Sequence, residues 1–234
     1  MKLFKAPVKK ITKLTENVLE YDFDYSKDPL DFLPGQLFMI DVLDGNPQKA
    51  QRSYSIASSP SNKEFFSICI KLINGGRGSE YFKRLKVGDA CNFIGAYGRF
   101  FLQDSEKDIL MVATGTGVAP FMSMISVLWD KGFNKPVTLY FGVATESDLF
   151  YLDILKKWEA EHDNFTLLIT LSEAEAGWKG LKGRVTPHLE EAVIDIGNTA
   201  IYICGNGNMI KDVRELMLSK GVPKEDIHFE QFYA

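Results

Sequence analysis

The stretch that decides the fold is ILMVATGTGVAP, residues 109–120. Its first five residues are a continuous apolar run, which is typical of a strand buried on both faces of a sheet. Gly115 and Gly117 let the backbone approach a ligand closely, and Pro120 favours the first turn of a helix. Such a helix directs free amide groups toward the turn, where a pyrophosphate is the most natural ligand. The stretch predicts a phosphate-binding turn, although a turn that merely packs tightly has the same pattern.

Downstream of this stretch, apolar runs alternate with segments of helical spacing. The predicted strands are Ile109–Ala113, Val137–Val143, Phe165–Leu171 and Ile201–Cys204, and the predicted helices span 121–129, 148–158 and 209–218. Alternating strands and helices require right-handed crossover connections, which produce a parallel sheet covered on both faces. We therefore expect an α/β nucleotide-binding domain over residues 104–234.

Upstream, the pattern changes to an alternation with a period of two. In LEYDFD, residues 19–24, apolar and acidic side chains alternate, as they do in a half-buried strand. Further strands are predicted at Leu37–Val42, Ser53–Ala57, Phe65–Leu72 and Ala90–Ile94, and a short helix at Glu80–Leu85 with Ser79 as its N-cap. Short strands separated by Pro, Gly and Asn turns predict an antiparallel β-barrel of Greek-key type over residues 1–103.

Composition excludes several classes of protein. The chain has 234 residues, enough for two domains of roughly 100–150 residues, and no apolar run near the ~20 residues of a membrane span. Its first residues lack the apolar core of a secretory signal, so we expect a cytoplasmic protein. Cys69, Cys91 and Cys204 are too widely spaced for a cysteine-based metal site, and no metal is predicted. No nucleic-acid-binding motif is present.

The net charge of −4 conceals an asymmetry, because residues 1–105 have a net charge of +3 and residues 106–234 one of −7. Five lysines precede the first acid, Glu16; they are Lys2, Lys5, Lys9, Lys10 and Lys13. The simpler interpretation is a lysine-rich strand edge that discourages aggregation. The alternative is a docking face for an acidic partner.

A second group of functional side chains lies in the barrel half, at Arg52-Ser53-Tyr54-Ser55. One strand there offers a guanidinium group for phosphate, an aromatic ring for stacking and a hydroxyl for hydrogen bonding. GGRGS, residues 75–79, is a second glycine-rich loop ahead of a helix. The alternative is that Tyr54 is a core residue and Arg52 a surface charge. Each of the two domains thus has a loop suited to bind phosphate. This favours a protein that binds a flavin dinucleotide in one domain, facing a nicotinamide dinucleotide in the other.

These motifs resemble the ferredoxin-NADP reductase superfamily of flavoproteins over essentially the whole chain. Residues 52–55 are similar to its RxYS flavin motif, and residues 76–79 to its flavin pyrophosphate loop. The other similar segments are the barrel-closing segment at 95–100, the nicotinamide-nucleotide turn at 114–120 and the CGxxxM turn at 204–209. The resemblance implies an FAD domain followed by an NAD(P)H domain, with hydride transfer to flavin N5 where the domains meet.

The resemblance also implies roles for individual residues. Arg52 would hold the FAD pyrophosphate, Tyr54 would stack on the isoalloxazine ring, and Ser55 would hydrogen-bond near N5. Further FAD-binding residues would be Gly76, Gly78 and Ser79. The nicotinamide-nucleotide site would comprise Thr114, Gly115, Thr116, Gly117, Pro120, Ser172, Glu173, Cys204, Gly205 and Met209. The implied catalytic residues are Ser55, Cys204 and Glu230. Phe232 or Tyr233 would cover the other face of the flavin.

Two positions bear on the choice of coenzyme. Members of the family that select the 2′-phosphate of NADPH commonly have arginine residues where this chain has Ala144 and Glu173. A carboxylate repels a phosphate and accepts hydrogen bonds from ribose hydroxyls, so we expect a preference for NADH. Lys179, Lys182 and Arg184 are close enough in sequence to bind a phosphate instead.

Three functions compete. The first is an FAD-dependent reductase that passes electrons from NAD(P)H to a small acidic carrier, ferredoxin or flavodoxin, or to an oxygenase component. The second is a reductase of free flavin, which the pyrophosphate loop disfavours. The third is a non-catalytic flavin electron-transfer subunit, which the nicotinamide-side motifs disfavour. Because the cysteines form no cluster, the first interpretation predicts that electrons leave through the flavin itself.

Overall fold

The computed structural model describes residues 2–48 and 50–232, which divide into two units with different kinds of sheet. The first unit contains β1 (Lys2–Lys13), β2 (Val18–Asp24), β3 (Leu37–Val42), β4 (Ala50–Ser55), β5 (Phe65–Lys71), α1 (Arg77–Arg84) and β6 (Ala90–Tyr97). Its strands are antiparallel and lie in the order β4-β3-β6-β1-β2-β5. Strands that are distant in sequence are neighbours, as in the predicted Greek key.

A bridge between the two outer strands curls this sheet into a barrel. Ile56, directly after β4, pairs with Ile68 of β5. The Ala57 amide donates to the Ser67 carbonyl oxygen over 2.8 Å. Since β4 and β5 are at opposite ends of the strand order, these contacts bring the ends of the sheet together. The predicted antiparallel barrel is confirmed.

Phenylalanine rings fill the interior of the barrel. The ring centroids of Phe38 and Phe66 are 4.7 Å apart, and those of Phe66 and Phe93 are 5.1 Å apart. All three side chains are buried. Along β3, Phe38, Ile40 and Val42 are buried and the residues between them are partly exposed, because successive residues of a strand point to opposite faces. This inward and outward alternation is the physical origin of the period of two in the sequence.

The lysine-rich first strand lies inside the sheet order rather than at its edge. β1 pairs with β6 along residues 2–7 and with β2 along residues 8–13. Its ion pairs are Lys2 with Asp28, Lys9 with Glu64 and Lys13 with Glu16. The expectation that this strand lies at the edge of the sheet is therefore wrong, because β1 lies between β6 and β2 in the strand order, with one half paired to each. The ion pairs leave less positive charge for a docking face than the sequence alone indicates.

The second sheet consists of parallel strands in the order β10-β9-β8-β7-β11-β12. These strands and the helices after the barrel are β7 (Asp108–Thr114), α2 (Ala119–Asp130), β8 (Val137–Val143), α3 (Leu152–Glu161), β9 (Phe165–Leu171), β10 (Leu181–Lys182), α4 (Val185–Glu190), β11 (Thr199–Asn206), α5 (Gly207–Ser219) and β12 (Ile227–Phe232). The predicted α/β parallel sheet is confirmed. Within the described residues, no helix is long and apolar enough to span a membrane.

Helix α3 begins at Leu152 rather than at the predicted Asp148. The Asp148 carboxylate accepts hydrogen bonds from the amide and the hydroxyl of Thr145, over 3.1 and 2.8 Å. These bonds cap a separate 3₁₀ turn, Glu146–Asp148. A side chain that bonds to nearby backbone competes with helix formation, which apolar spacing does not reveal.

Helix α2 groups with the barrel. The first unit comprises residues up to Gln103 together with Ala119–Gly132, and the second unit comprises the rest. Gly35 illustrates the packing, because a Cβ atom there would overlap the Met124 side chain. The proposed boundary between residues 103 and 104 stays a prediction.

Candidate functional site

The two flavin-like motifs of the first unit meet at Gly78. A Cβ atom on Gly78 would lie 2.9 Å from Tyr54 Oη and 3.3 Å from Arg52 Cγ. Any side chain at this position would force those groups to move, so glycine allows the N-terminal turn of α1 to touch β4. The structure therefore brings Arg52 and Gly78, to which the resemblance assigns the FAD pyrophosphate, together with Tyr54, to which it assigns the isoalloxazine ring.

The N-terminal turn of α1 is open to an anion. Gly76 precedes the helix in extended conformation, with φ −72° and ψ 123°, and no side chain caps the helix. The first amides of a helix lack intrahelical acceptors, so those of Arg77 and Gly78 are available to a phosphate. The predicted phosphate-binding role of this turn fits its geometry.

Ser79 has a different local role from the one predicted. It lies within α1, and its hydroxyl oxygen accepts a hydrogen bond from the Ile73 amide over 2.8 Å. That bond closes the glycine-rich loop, so the prediction that Ser79 is the N-cap of a helix starting at Glu80 is wrong. The backbone amide of Ser79 belongs to the first turn of α1, whose amides lack intrahelical acceptors.

Arg52 and Tyr54 present a cation and a neutral donor beside this turn. Arg52 is exposed, and its Nη1 donates to the Gln51 carbonyl oxygen over 2.8 Å. A guanidinium has five N–H donors, so it retains donors for a phosphate. Burial raises the pKa of Tyr54 to about 12, against the opposing effect of Arg52, so the phenol stays protonated at physiological pH.

The ring of Tyr54 is held edge-on to Phe82, with centroids 5.2 Å apart. The next residue, Ser55, ends β4 and is 3% exposed. Strand β4 and the adjoining turn of α1 thus bring together four groups: a guanidinium, a helix N-terminus, an aromatic ring and a buried hydroxyl. This set of groups fits FAD, which requires charge for its pyrophosphate and an apolar surface for its ring system.

The two glycines of the predicted nicotinamide turn have different roles. Gly115 has φ +53°, and nothing lies within 4 Å of the position of a Cβ atom. Gly117 instead packs against the backbone of Cys204, which a Cβ atom would overlap. Gly115 therefore leaves room for a ligand, whereas Gly117 permits close packing against β11. The ligand-binding interpretation of the pattern therefore fits Gly115, and the close-packing interpretation fits Gly117.

Contacts of Thr114 join this turn to the CGxxxM turn. Thr114 Oγ1 accepts a hydrogen bond from the Asn206 amide over 3.0 Å. Gly205 has φ +136°, and the Thr114 backbone nitrogen lies 3.0 Å from the position of its Cβ atom. The carboxyl ends of β7 and β11 are consequently side by side, and this edge is where open α/β sheets bind their ligands.

The predicted catalytic residues Cys204 and Glu230 occupy neighbouring strands. They face each other in the parallel register of β11 and β12. Cys204 is fully buried, and burial raises the pKa of its thiol well above the usual range, with a smaller contribution from the Glu230 carboxylate. The thiol is therefore neutral at physiological pH and a weak nucleophile. The third predicted catalytic residue, Ser55, belongs to the barrel unit.

The two residues assigned to coenzyme choice lie in adjacent loops. The Glu173 amide donates to the Ala144 carbonyl oxygen over 2.8 Å, and the Ser172 amide to the Val143 carbonyl oxygen over 3.1 Å. Glu173 itself is exposed. The carboxyl ends of β8 and β9 thus present Ala144 and a carboxylate together.

The other predicted residues differ in exposure. Met209 is buried in the hydrophobic core of the second unit, which indicates a packing role. Thr116 lies in the 3₁₀ turn Gly115–Val118, and Pro120 is the second residue of α2. Phe232 is partly exposed at the end of β12, whereas Tyr233 lies outside the described residues.

Two residues that the sequence analysis missed shape the start of α5. The Asn206 side chain caps the helix by accepting from the Asn208 amide over 2.9 Å. A Cβ atom on Gly207 would lie 2.6 Å from Gln231 Nε2. Asparagine ahead of a helix is a strong N-cap signal, so Asn206 was detectable. Gln231 was not, because only the pairing of β12 with β11 brings it there.

Family models match both units. The model of the oxidoreductase FAD-binding domain matches residues 5–102, and that of the oxidoreductase NAD-binding domain matches residues 111–215. These matches define an NAD(P)H-dependent flavoprotein oxidoreductase.

Comparison with individual proteins identifies the family more specifically. The chain is 33% identical to ferredoxin–NADP reductase B of Sorangium cellulosum, over 79% of each chain. It is 30% identical to the toluate 1,2-dioxygenase electron transfer component of Pseudomonas putida, over 99% of this chain and 68% of that one. A ferredoxin NADP⁺ reductase structure from Neisseria gonorrhoeae has the same fold, with a TM-score of 0.85, 22% identity and full coverage of both chains. The chain belongs to the ferredoxin-NADP reductase superfamily.

We expect Gly78→Ala to weaken FAD binding by about tenfold or more, because the added methyl group displaces Arg52 or Tyr54. A tenfold loss of affinity corresponds to ~1.4 kcal/mol of binding free energy. Fluorescence titration of the apoprotein with FAD measures the effect. Gly177→Ala is the matched control, because nothing lies within 4 Å of its Cβ position. Wild-type affinity in Gly78→Ala would contradict the close contact.

We also expect an alkaline loss of stability that depends on Cys204. Because burial raises the thiol pKa in the folded state, its contribution is complete below about pH 8.5 and is lost as the pH rises toward the raised value. The measurement is the free energy of unfolding by urea of wild type and Cys204→Ala between pH 7 and 10. The advantage of the wild type should shrink with pH, and a constant difference would disprove this assignment.

Proposed function

We propose that this protein is an FAD-dependent reductase that takes a hydride from NAD(P)H and passes electrons to a separate carrier. The observation that carries the proposal is the meeting of Arg52, Tyr54 and Gly78 at an open helix N-terminus, in the same chain as a nicotinamide-type turn. The two matched family models support the pair of nucleotides. Bound FAD supplies the chemistry, because it accepts a hydride and releases electrons singly.

The residues of the chain bind and orient rather than react. Arg52 and the first amides of α1 balance the charge of a pyrophosphate, and the ring of the neutral Tyr54 stacks on the isoalloxazine. On the coenzyme side, the neutral thiol of Cys204 is fully buried, and Cys204 pairs in register with Glu230 of the neighbouring strand. Since orientation and exclusion of water suffice for hydride transfer, no general base is required.

We propose a ferredoxin, a flavodoxin or an oxygenase component as the electron acceptor. The names of the relatives support this class, since one is a ferredoxin–NADP reductase and another is the electron transfer component of a dioxygenase. An acidic carrier would suit the positive net charge of the barrel half, although ion pairs already occupy Lys2, Lys9 and Lys13. Lys5 and Lys10 remain exposed on β1.

A cytoplasmic location is part of the proposal. Its support is that Cys69, Cys91 and Cys204 are buried and form no disulfide with one another, as is usual in a reducing compartment. The nicotinamide coenzymes are also intracellular metabolites.

The function is tested by anaerobic spectroscopy of the purified protein. We expect a yellow protein with bound FAD, bleaching of its visible absorbance on addition of NADH, and reoxidation by ferredoxin or flavodoxin. A colourless protein that reduces only added flavin would indicate a free-flavin reductase. Bound flavin that NADH fails to bleach would indicate a non-catalytic electron-transfer subunit.

We further propose that NADH is the preferred coenzyme, because Glu173 bonds through its backbone to Ala144, at the two positions where a 2′-phosphate would need a cation. Wild-type kcat/KM should be about tenfold or more higher with NADH than with NADPH, which corresponds to ~1.4 kcal/mol of discrimination. Glu173→Gln should raise kcat/KM for NADPH, whereas the control Glu175→Gln should not. A tenfold preference of the wild type for NADPH would refute the proposal.

A further inference from the structure

Arg77 and Asp44 form a two-pronged ion pair at the start of α1. Arg77 Nε donates to Asp44 Oδ2 over 2.6 Å, and Nη2 donates to Oδ1 over 2.9 Å. The side chains are only 30% and 12% exposed. Two parallel hydrogen bonds from a planar guanidinium to a carboxylate make a strongly directional ion pair. Partial burial of the pair reduces its screening by solvent. The guanidinium also lowers the pKa of Asp44 to about 2, so the pair persists at physiological pH.

Further hydrogen bonds extend the pair into the loop between β3 and β4. Arg77 Nη2 also donates to the Gln48 carbonyl oxygen over 2.7 Å. Asp44 Oδ1 accepts from the Asn46 amide over 3.1 Å, and Asn46 Oδ1 accepts from the Gln48 amide over 2.9 Å. The loop is therefore ordered around Asp44, and Arg77 fastens it to the first residue of α1.

This attachment point adjoins the proposed flavin phosphate site. Arg77 is the first residue of α1, and Gly78, the next residue, contacts Arg52 and Tyr54. Arg52 retains donors for a phosphate, whereas Asp44 and Gln48 occupy the Nε and Nη2 groups of Arg77. The two arginines thus have separate tasks, one facing the ligand and one holding the turn.

We propose that Asp44 is a positioning residue for the flavin, which acts through Arg77 to hold the N-terminal turn of α1 in the conformation that binds the FAD pyrophosphate. The inference rests on the proposed function of the barrel unit as an FAD site. Asp44 itself carries a negative charge and is not a phosphate ligand. Its contribution is to fix the direction of the amides of Arg77, Gly78 and Ser79.

The test compares Asp44→Asn, which keeps the shape of the side chain but loses its charge, with wild type in the full chain. FAD affinity of the apoprotein should fall by about tenfold, because charge-assisted bonds to the fork are lost. At saturating FAD, the ³¹P NMR resonances of the bound pyrophosphate should shift, which a merely structural role elsewhere in the barrel would not cause. The melting temperature of the apoprotein reports general destabilisation separately.

The matched control is Asp31→Asn, which removes an exposed ion pair with Lys63 in the same unit. It should change FAD affinity by no more than about twofold and leave the ³¹P spectrum unchanged, as expected for a surface substitution. Arg77→Met and the double variant Asp44→Asn/Arg77→Met complete a double-mutant cycle. If Asp44 acts through Arg77, the double variant binds FAD as Arg77→Met does.

Three outcomes would overturn the inference. Wild-type affinity and ³¹P spectrum in Asp44→Asn would show that the turn does not depend on the pair. Tighter FAD binding would show that Asp44 withholds Arg77 from the phosphate instead. Multiplicative effects of the two substitutions would show that they act separately. A wild-type protein that binds no FAD would refute the proposed function itself, so the two failures are distinguishable.

Discussion

Both nucleotide-binding domains depend on a glycine at which the backbone approaches a neighbouring segment too closely for any side chain to fit. In the barrel, the missing side chain of Gly78 lets the turn of α1 touch the side chains of β4. In the parallel sheet, the missing side chain of Gly117 lets the turn after β7 touch the backbone of β11. A phosphate-binding turn needs its amides near the ligand, and a Cβ atom at either place would push the turn away from its support.

Charge is distributed so that each site has the protonation states it needs at physiological pH. Arg52 and Arg77 are both near the start of α1, but Asp44 neutralises Arg77 and leaves Arg52 as the exposed cation. Burial keeps the Tyr54 phenol and the Cys204 thiol protonated by raising their pKa values. Both groups therefore remain neutral at physiological pH.

Most of the fold was predictable because its strands follow simple hydrophobic periods. The predicted bounds of Leu37–Val42, Val137–Val143 and Phe165–Leu171 match those of β3, β8 and β9. The two helix starts were wrong where a side chain bonds to backbone a few residues away, as Ser79 does to Ile73 and Asp148 does to Thr145. Such bonds depend on loop geometry, and periodicity contains no information about it.

Local spacing and side-chain chemistry are enough to establish the two sheet types, the positions of the glycine-rich turns and the residue types that suit phosphate and flavin. The folded chain adds that Gly115 is open while Gly117 is packed, that Cys204 pairs in register with Glu230, and that Asp44 forms an ion pair with Arg77. These facts depend on strand register and on contacts between segments that are distant in the chain, such as Asp44 and Arg77, which are 33 positions apart. No local pattern specifies contacts over that separation.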